Sequence, residues 1–242
     1  MATDLPVVGT HKRSERWLVT NSMGLSPNCG PRREAAVPDI IVIHYTAMAD
    51  WTAARDWLCN PKAEVSAHYI ISPQGEVVQM VDEDQRAWHA GAGSWGDVSD
   101  VNSRSIGIEL SNDGASPFAA PLMDALCDLL PAIMERWAVP PARVIGHSDL
   151  ACGRKIDPGA RFDWARLMRG GMAIGANATT PITVDEGTFR RDLTTIGYSA
   201  DFDFDVVLSA LRLRHRLGHK GPLDGWDCAI VADLAQRFPV QS

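Results

Sequence analysis

Residues 39–45 read DIIVIHY, and residues 105–110 read SIGIEL. The first run is β-branched and almost continuously apolar, the pattern of a central strand covered on both faces. The second is a shorter apolar strand with two exceptions. Ile106, Ile108 and Leu110 alternate with Gly107 and Glu109, so the glutamate lies on the face opposite the isoleucines. Working outward, residues 52–59 have helical spacing, with Trp51, Ala54, Trp57 and Leu58 on one side. Residues 67–72 and 76–81 flank Gln74-Gly75 and predict a β-hairpin. Residues 90–104 form a long Gly/Ser/Asp loop, a kind that is usually functional or disordered. Residues 121–137 predict an amphipathic helix, residues 143–146 a short strand, and residues 148–161 a loop. Strands and helices intermix in one unit. The expected class is α/β (α+β), a central mixed β-sheet flanked by helices and followed by a small three-helix domain.

The flanks differ in composition. Residues 1–36 are polar and turn-rich and read as an irregular lead-in to a domain over 37–170. The stretch GGMAIGANATTPIT, residues 170–183, is small and uncharged and reads as a flexible linker over 171–183. Helical segments at 187–196, 204–217 and 225–238 then make a compact module over 184–242. Its core candidates are Leu193, Ile196, Val206, Leu208, Leu211, Leu213 and Leu217.

Of the 242 residues, 45% are hydrophobic and 22% charged, an ordinary soluble balance. The formal net charge of −7 argues against a nucleic-acid partner, which requires a basic surface. Five irregularly spaced cysteines, with no C-x-x-C, argue against a disulfide framework and for a reduced compartment. The N-terminus lacks the apolar core of a secretory signal, and no eighteen-residue apolar run predicts membrane insertion. The expected location is cytoplasmic, with a periplasmic or exported location the alternative if a leader precedes this chain.

A hydrolytic metal site needs three His, Cys or carboxylate ligands and an open position for water. His44 ends the apolar strand, where a sheet presents side chains to a cleft; a hydrogen-bonded strand-end histidine is the other reading. The segment GHSDLACGRKIDPG, residues 146–159, places His147 directly after a strand and Asp157 ten residues later, braced by Pro158. Lys155 shares a face with Asp157 if the segment is extended. Read by spacing alone, the same segment is a polar surface loop with an ion pair. Glu109 is costly to bury in its apolar strand unless it is paired or used as a base; on an edge strand it would simply face solvent.

The ordered segments IVIHYT (41–46), SAHYIISPQGEVVQMV (66–81), RAWHAG (86–91), N-x-x-SIGIEL (102–110) and GHSDLACGRKIDPGARFDW (146–164) resemble the type 2 N-acetylmuramoyl-L-alanine amidases. The resemblance covers residues 37–168 and is greatest to the subgroup that accepts 1,6-anhydro-muramyl peptides. It implies a single Zn2+ held by His44, His147 and Asp157, with Glu109 as general base and Lys155 as oxyanion stabiliser. It implies a muropeptide or peptidoglycan substrate, contacted by Tyr45, His68, Trp88, His89 and Asn102. His68 also reads as a core histidine, and Asn102 as a loop cap. Cys152 stands where relatives often carry proline; it is either a bystander thiol or a competitor for metal. His11, His215 and His219 read as solvated. The competing reading is a non-catalytic muropeptide-binding protein, which would typically lack a zinc ligand. The C-terminal module resembles a type 1 peptidoglycan-binding domain, except that Arg214-His215 replaces the usual Phe-Gln pair. A bundle that merely packs against the amidase unit is the alternative.

Overall fold

The computed structural model describes residues 26–240. Strand β1 (Cys29–Pro31) is followed by β2 (Ile40–Tyr45) and helix α1 (Trp51–Leu58). Strands β3 (Tyr69–Ile71), β4 (Val77–Gln79) and β5 (Gln85–Ala87) come next, then the one-turn helix α2 (Val101–Arg104) and β6 (Ser105–Leu110). The long helix α3 (Ala120–Trp137) leads to β7 (Val144–Gly146), the one-turn helix α4 (His147–Leu150) and α5 (Trp164–Arg169). Helices α6 (Glu186–Ile196), α7 (Phe204–His215) and α8 (Gly225–Arg237) complete the chain.

The main sheet has the order β4-β3-β6-β2-β7. β3, β6, β2 and β7 are parallel, and β4 closes one edge as the antiparallel arm of the expected hairpin. Alternation along the central strands sorts two cores. Ile41, Ile43, Ile106, Ile108 and Leu110 face α3, where Leu122, Leu126, Leu130 and Ile133 form the buried stripe. Ile40 and Val42 face the other way, in one cluster with Ile145 and Leu150 and with Phe189, Leu193 and Leu211 of the C-terminal helices. α1 covers Ile70 and Val78 through Ala54 and Leu58. The sheet is therefore buried on both faces, which explains why its central strands carry apolar residues at consecutive positions.

Several expectations need correction. Residues 26–36 are not irregular throughout: β1 pairs antiparallel with β5, and Arg32 is buried. Trp57 is 54% exposed, because Ala54 and Leu58, one turn apart, form the buried ridge of α1 and Trp57 lies off it. The loop over 90–104 is ordered, pinned by buried Trp95, Val98 and Val101. The segment expected to be a flexible linker is packed: Met172 and Ala173 are buried on the α3 side, and Ile174, Ala176 and Ala178 lie against the other cluster. Leu217 is 57% exposed because α7 ends two residues earlier. His11 lies outside the described residues.

Leu126 is fully buried on α3, remote from β2's His44 face. Leu126→Ala should destabilise the chain by about 2–5 kcal/mol, read by denaturant unfolding, because it opens a cavity in a packed core.

Candidate active site

The site forms beyond the carboxyl ends of the parallel strands, where open α/β sheets place their clefts. The register pairs His44 of β2 with Glu109 of β6, and Ile43 with Gly146, the residue before His147. Asp157 returns to the same point because the Ser148 N–H donates to its carbonyl at 2.9 Å. Gly146 permits this approach: a Cβ there would stand 2.8 Å from Pro158.

His44 Nδ1 lies 3.0 Å from His147 Nδ1 and 2.9 Å from Asp157 Oδ2, and His147 Nδ1 lies 3.0 Å from the same oxygen. All three residues are buried. Their second bonds show what these atoms carry. His147 Nε2 donates to the Ala90 carbonyl at 2.8 Å, so in the neutral ring Nδ1 is a bare lone pair. Arg154 donates to that same carbonyl at 2.8 Å. For His44 the chain of bonds is longer. Ser105 donates its hydroxyl proton to the Val101 carbonyl at 2.5 Å and accepts from His89 Nε2 at 3.1 Å. His89 Nδ1 is then an acceptor and takes the His44 Nε2–H at 3.0 Å. His44 Nδ1 is left as a lone pair too. Burial keeps His44 and His89 neutral: it pushes His44 down to about 4, with His147 beside it adding to the effect, and pushes His89 well below its ordinary value.

Two imidazole lone pairs and a carboxylate oxygen thus meet within 3.0 Å with no donor between them. Such a group repels itself unless a cation sits there, and orientation of each ring by an outer hydrogen bond is the habit of metal-binding histidines. The donor set therefore fits a divalent metal of the zinc type. A second acid–histidine cluster, His219, Asp224 and Asp227, differs: Arg212 and Arg216 already bond its carboxylates.

Glu109 stands beside His44 with Oε2 buried and without a hydrogen-bond partner. Burial, with Asp157 adding to it, pushes its carboxyl up to about 8, and Lys155 pulls the other way. Lys155 is exposed on the loop before Asp157. Tyr45 is half-buried, its ring close to Gly114 and Gly159, and Trp88 is half-buried beside His89.

Two residues expected to touch substrate, His68 and Asn102, are buried in structural roles, and His89 has one as well. His68 is fully buried; its Nδ1 accepts from the Gly107 N–H and its Nε2 donates to the Gln85 carbonyl. His89 lies behind His44 and orients it. Asn102 caps the 88–90 turn, its Oδ1 accepting from the His89 and Ala90 N–H groups. Cys152 Sγ points to the Asp149 carbonyl, and burial pushes its thiol up to about 12, so it is no rival ligand. His215 is not solvated: its Nδ1 is buried without a partner, and burial lowers its pKa well below normal. His219 is half-buried, 3.2 Å from Asp224. Ser105 and Gly107 were missed as site residues. The signal was there in SIGIEL: both share the Glu109 face, and a Cβ on Gly107 would strike the His89 ring at 2.5 Å.

Comparison with known proteins places this chain in a family. The family model described as N-acetylmuramoyl-L-alanine amidase matches residues 34–160. The amidase AmiD of Escherichia coli is 34% identical over 239 residues, covering 85% of this chain and 86% of AmiD. The 1,6-anhydro-N-acetylmuramyl-L-alanine amidase AmpD of Enterobacter cloacae is 32% identical, over 62% of this chain and 90% of AmpD. The solved E. coli AmiD, in complex with anhydro-N-acetylmuramic acid-L-Ala-D-γ-Glu-L-Lys, superposes with a TM-score of 0.76 at 30% identity, covering 85% of this chain and 92% of that one. The two-histidine, one-aspartate cluster at the strand ends is thus set in the fold of a known enzyme family, and this chain is a member of the N-acetylmuramoyl-L-alanine amidases.

Proposed function

We propose that this chain is a zinc-dependent hydrolase of the amide bond between N-acetylmuramic acid, or its 1,6-anhydro form, and the L-alanine of the peptide stem. The observation that carries the reading is the meeting of three lone pairs, from His44, His147 and Asp157, next to the buried carboxyl of Glu109. Substrates of this class are those named for AmiD and AmpD, and soluble anhydro-muropeptides are the form assigned here. Among the described residues no helix is long and apolar enough to cross a membrane. The five cysteines are free thiols, which suits a reducing, cytoplasmic setting.

When bound, zinc acidifies a water and polarises the scissile carbonyl. Glu109 takes one proton from the attacking water and passes it to the L-alanine nitrogen as the C–N bond breaks. Its burial favours the protonated form, so it holds that proton readily in mid-reaction. With the ion held by His44, His147 and Asp157, the carboxylate form of Glu109 would be favoured at the start of the cycle. Lys155 is the residue assigned to stabilise the developing oxyanion. The products are a free carboxylate on the muramyl lactyl group and a free amine on the peptide. Tyr45 and Trp88, half-buried near the site, are the side chains assigned to contact the substrate.

The test is mass spectrometry of products from anhydro-muramyl tripeptide and from intact sacculi, together with metal analysis. The expected result is one zinc per chain and release of tripeptide; a zinc-loaded protein that leaves the amide intact would refute the reading. Glu109→Gln should keep zinc and lower kcat by about 10²–10⁴-fold, the usual worth of a general base. Ser105→Ala, which unpins His89 and through it His44, should weaken zinc binding by about 10–100-fold in a chelator competition. Glu109 also predicts a pH effect on metal-free stability. Its folded pKa of about 8 lies above its ordinary 4.5, so the folded state binds the extra proton and its stabilising contribution is lost as pH rises between those values. Thermal melts should show wild type losing stability relative to Glu109→Gln from pH 5 to pH 8.

A further inference from the structure

His147 sits at the corner where β7 turns into α4, and this corner is held from the C-terminal helices. Asp149 is fully buried and accepts three bonds there. Its Oδ2 takes the Gly146 N–H at 2.8 Å and Arg214 of α7 at 2.9 Å, and its Oδ1 takes the Tyr198 hydroxyl at 2.6 Å. The other terminal nitrogen of Arg214 donates to the Val144 carbonyl at 2.9 Å. One guanidinium therefore spans the corner from Val144 to Asp149, with His147 inside the span. The Trp164 ring covers the guanidinium at 4.5 Å. A second contact from α7 falls on the following loop: Val206 packs so closely on Gly153 that a Cβ there would meet it at 2.8 Å. The corner also anchors Asp157, through the bond from the Ser148 N–H.

A buried ion pair gains little net stability over well-packed apolar residues, so its use at this corner calls for a positional reason. We infer that the C-terminal helical module is a positioning part of the metal centre: Arg214 and Tyr198 clamp Asp149 so that His147 and Asp157 are aligned before the ion arrives. This rests on the zinc reading above. It assigns a task to Arg214, one of the two residues that depart from the wall-binding resemblance, and the task faces inward. A ligand corner fixed in advance binds its ion more tightly because less ordering remains to be done on binding.

The experiment measures zinc affinity of the full chain by competition with a chromophoric chelator, alongside amide hydrogen exchange of the zinc-free protein. Arg214→Met should weaken zinc binding by about tenfold or more, the scale of an outer-shell loss. Arg214→Lys keeps the charge but cannot make both bonds, and should fall between Arg214→Met and wild type. Tyr198→Phe, the milder variant, should lose several-fold and decides the matter if Arg214→Met does not fold. The Gly146 and Ser148 amides should exchange faster in Arg214→Met and Tyr198→Phe. Leu126→Ala, destabilised on the opposite face of the sheet, should bind zinc as wild type does. A folded Arg214→Met or Tyr198→Phe with wild-type zinc affinity overturns the inference, as does an equal loss in Leu126→Ala. A wild-type chain that binds no zinc would instead defeat the zinc reading, and unchanged exchange at Gly146 and Ser148 would then overturn the clamp by itself.

Discussion

The parallel register of β6, β2 and β7 governs everything at the site. It sets His44 level with Glu109 and brings Gly146, and so His147, to the neighbouring strand end. Side chains alternate along a strand, so a slip of one residue would turn His44 toward the α3 core and send Ile43 to the cleft. The register is secured by burial on both faces. Ile41 and Ile43 are committed to one core and Ile40 and Val42 to the other, and all four are fully buried. The apolar residues of DIIVIHY thus do more than fill space: they fix which way His44 points.

Burial then determines protonation. Burial lowers the pKa of His44 and His89, and a neutral imidazole with one nitrogen committed as donor must present the other as a lone pair. The Ala90 carbonyl imposes this on His147, and the Val101–Ser105–His89 chain imposes it on His44. The same sealing leaves Glu109 ready to hold a proton. The imidazole lone pairs and the raised pKa of the Glu109 carboxyl therefore share one cause, the exclusion of water at the strand ends.

Much of this could be read from the chain. The continuous apolar runs announced the sheet, and the alternation in SIGIEL put Glu109 on the correct face. Spacing by itself left His147 and Asp157 open to a surface-loop reading, and the family resemblance was needed to join them to His44. What escaped were residues whose role depends on distant partners. A lone charge on a helix reads as solvated, and nothing near Arg214 in sequence reveals Asp149, 65 residues earlier. Arg32 lay in a stretch that looked irregular. His89 stood beside a long loop, and the family resemblance implied substrate contact; the space left by Gly107 shows that the ring lies against the sheet.

Those two arginines reveal how the site is framed. Arg32 donates to the carbonyls of Glu83, Asn102, Ser103 and Ser105, at the start of β6 where the bond chain to His44 begins. Burial lowers its pKa to about 10, which still leaves it charged at neutral pH. Arg214 grips the Val144–Asp149 corner that carries His147. His44 and His147 therefore each have a buried guanidinium behind them, bonded to acceptors around the strand end rather than to the ring itself. A guanidinium is suited to this because its five donors lie in one rigid plane and fix several acceptors at once. An apolar side chain of similar volume would fill the same space but would direct no carbonyl. At a centre where three donor atoms must stand within 3.0 Å of one another despite mutual repulsion, direction matters more than packing energy, and buried charge is the means of supplying it.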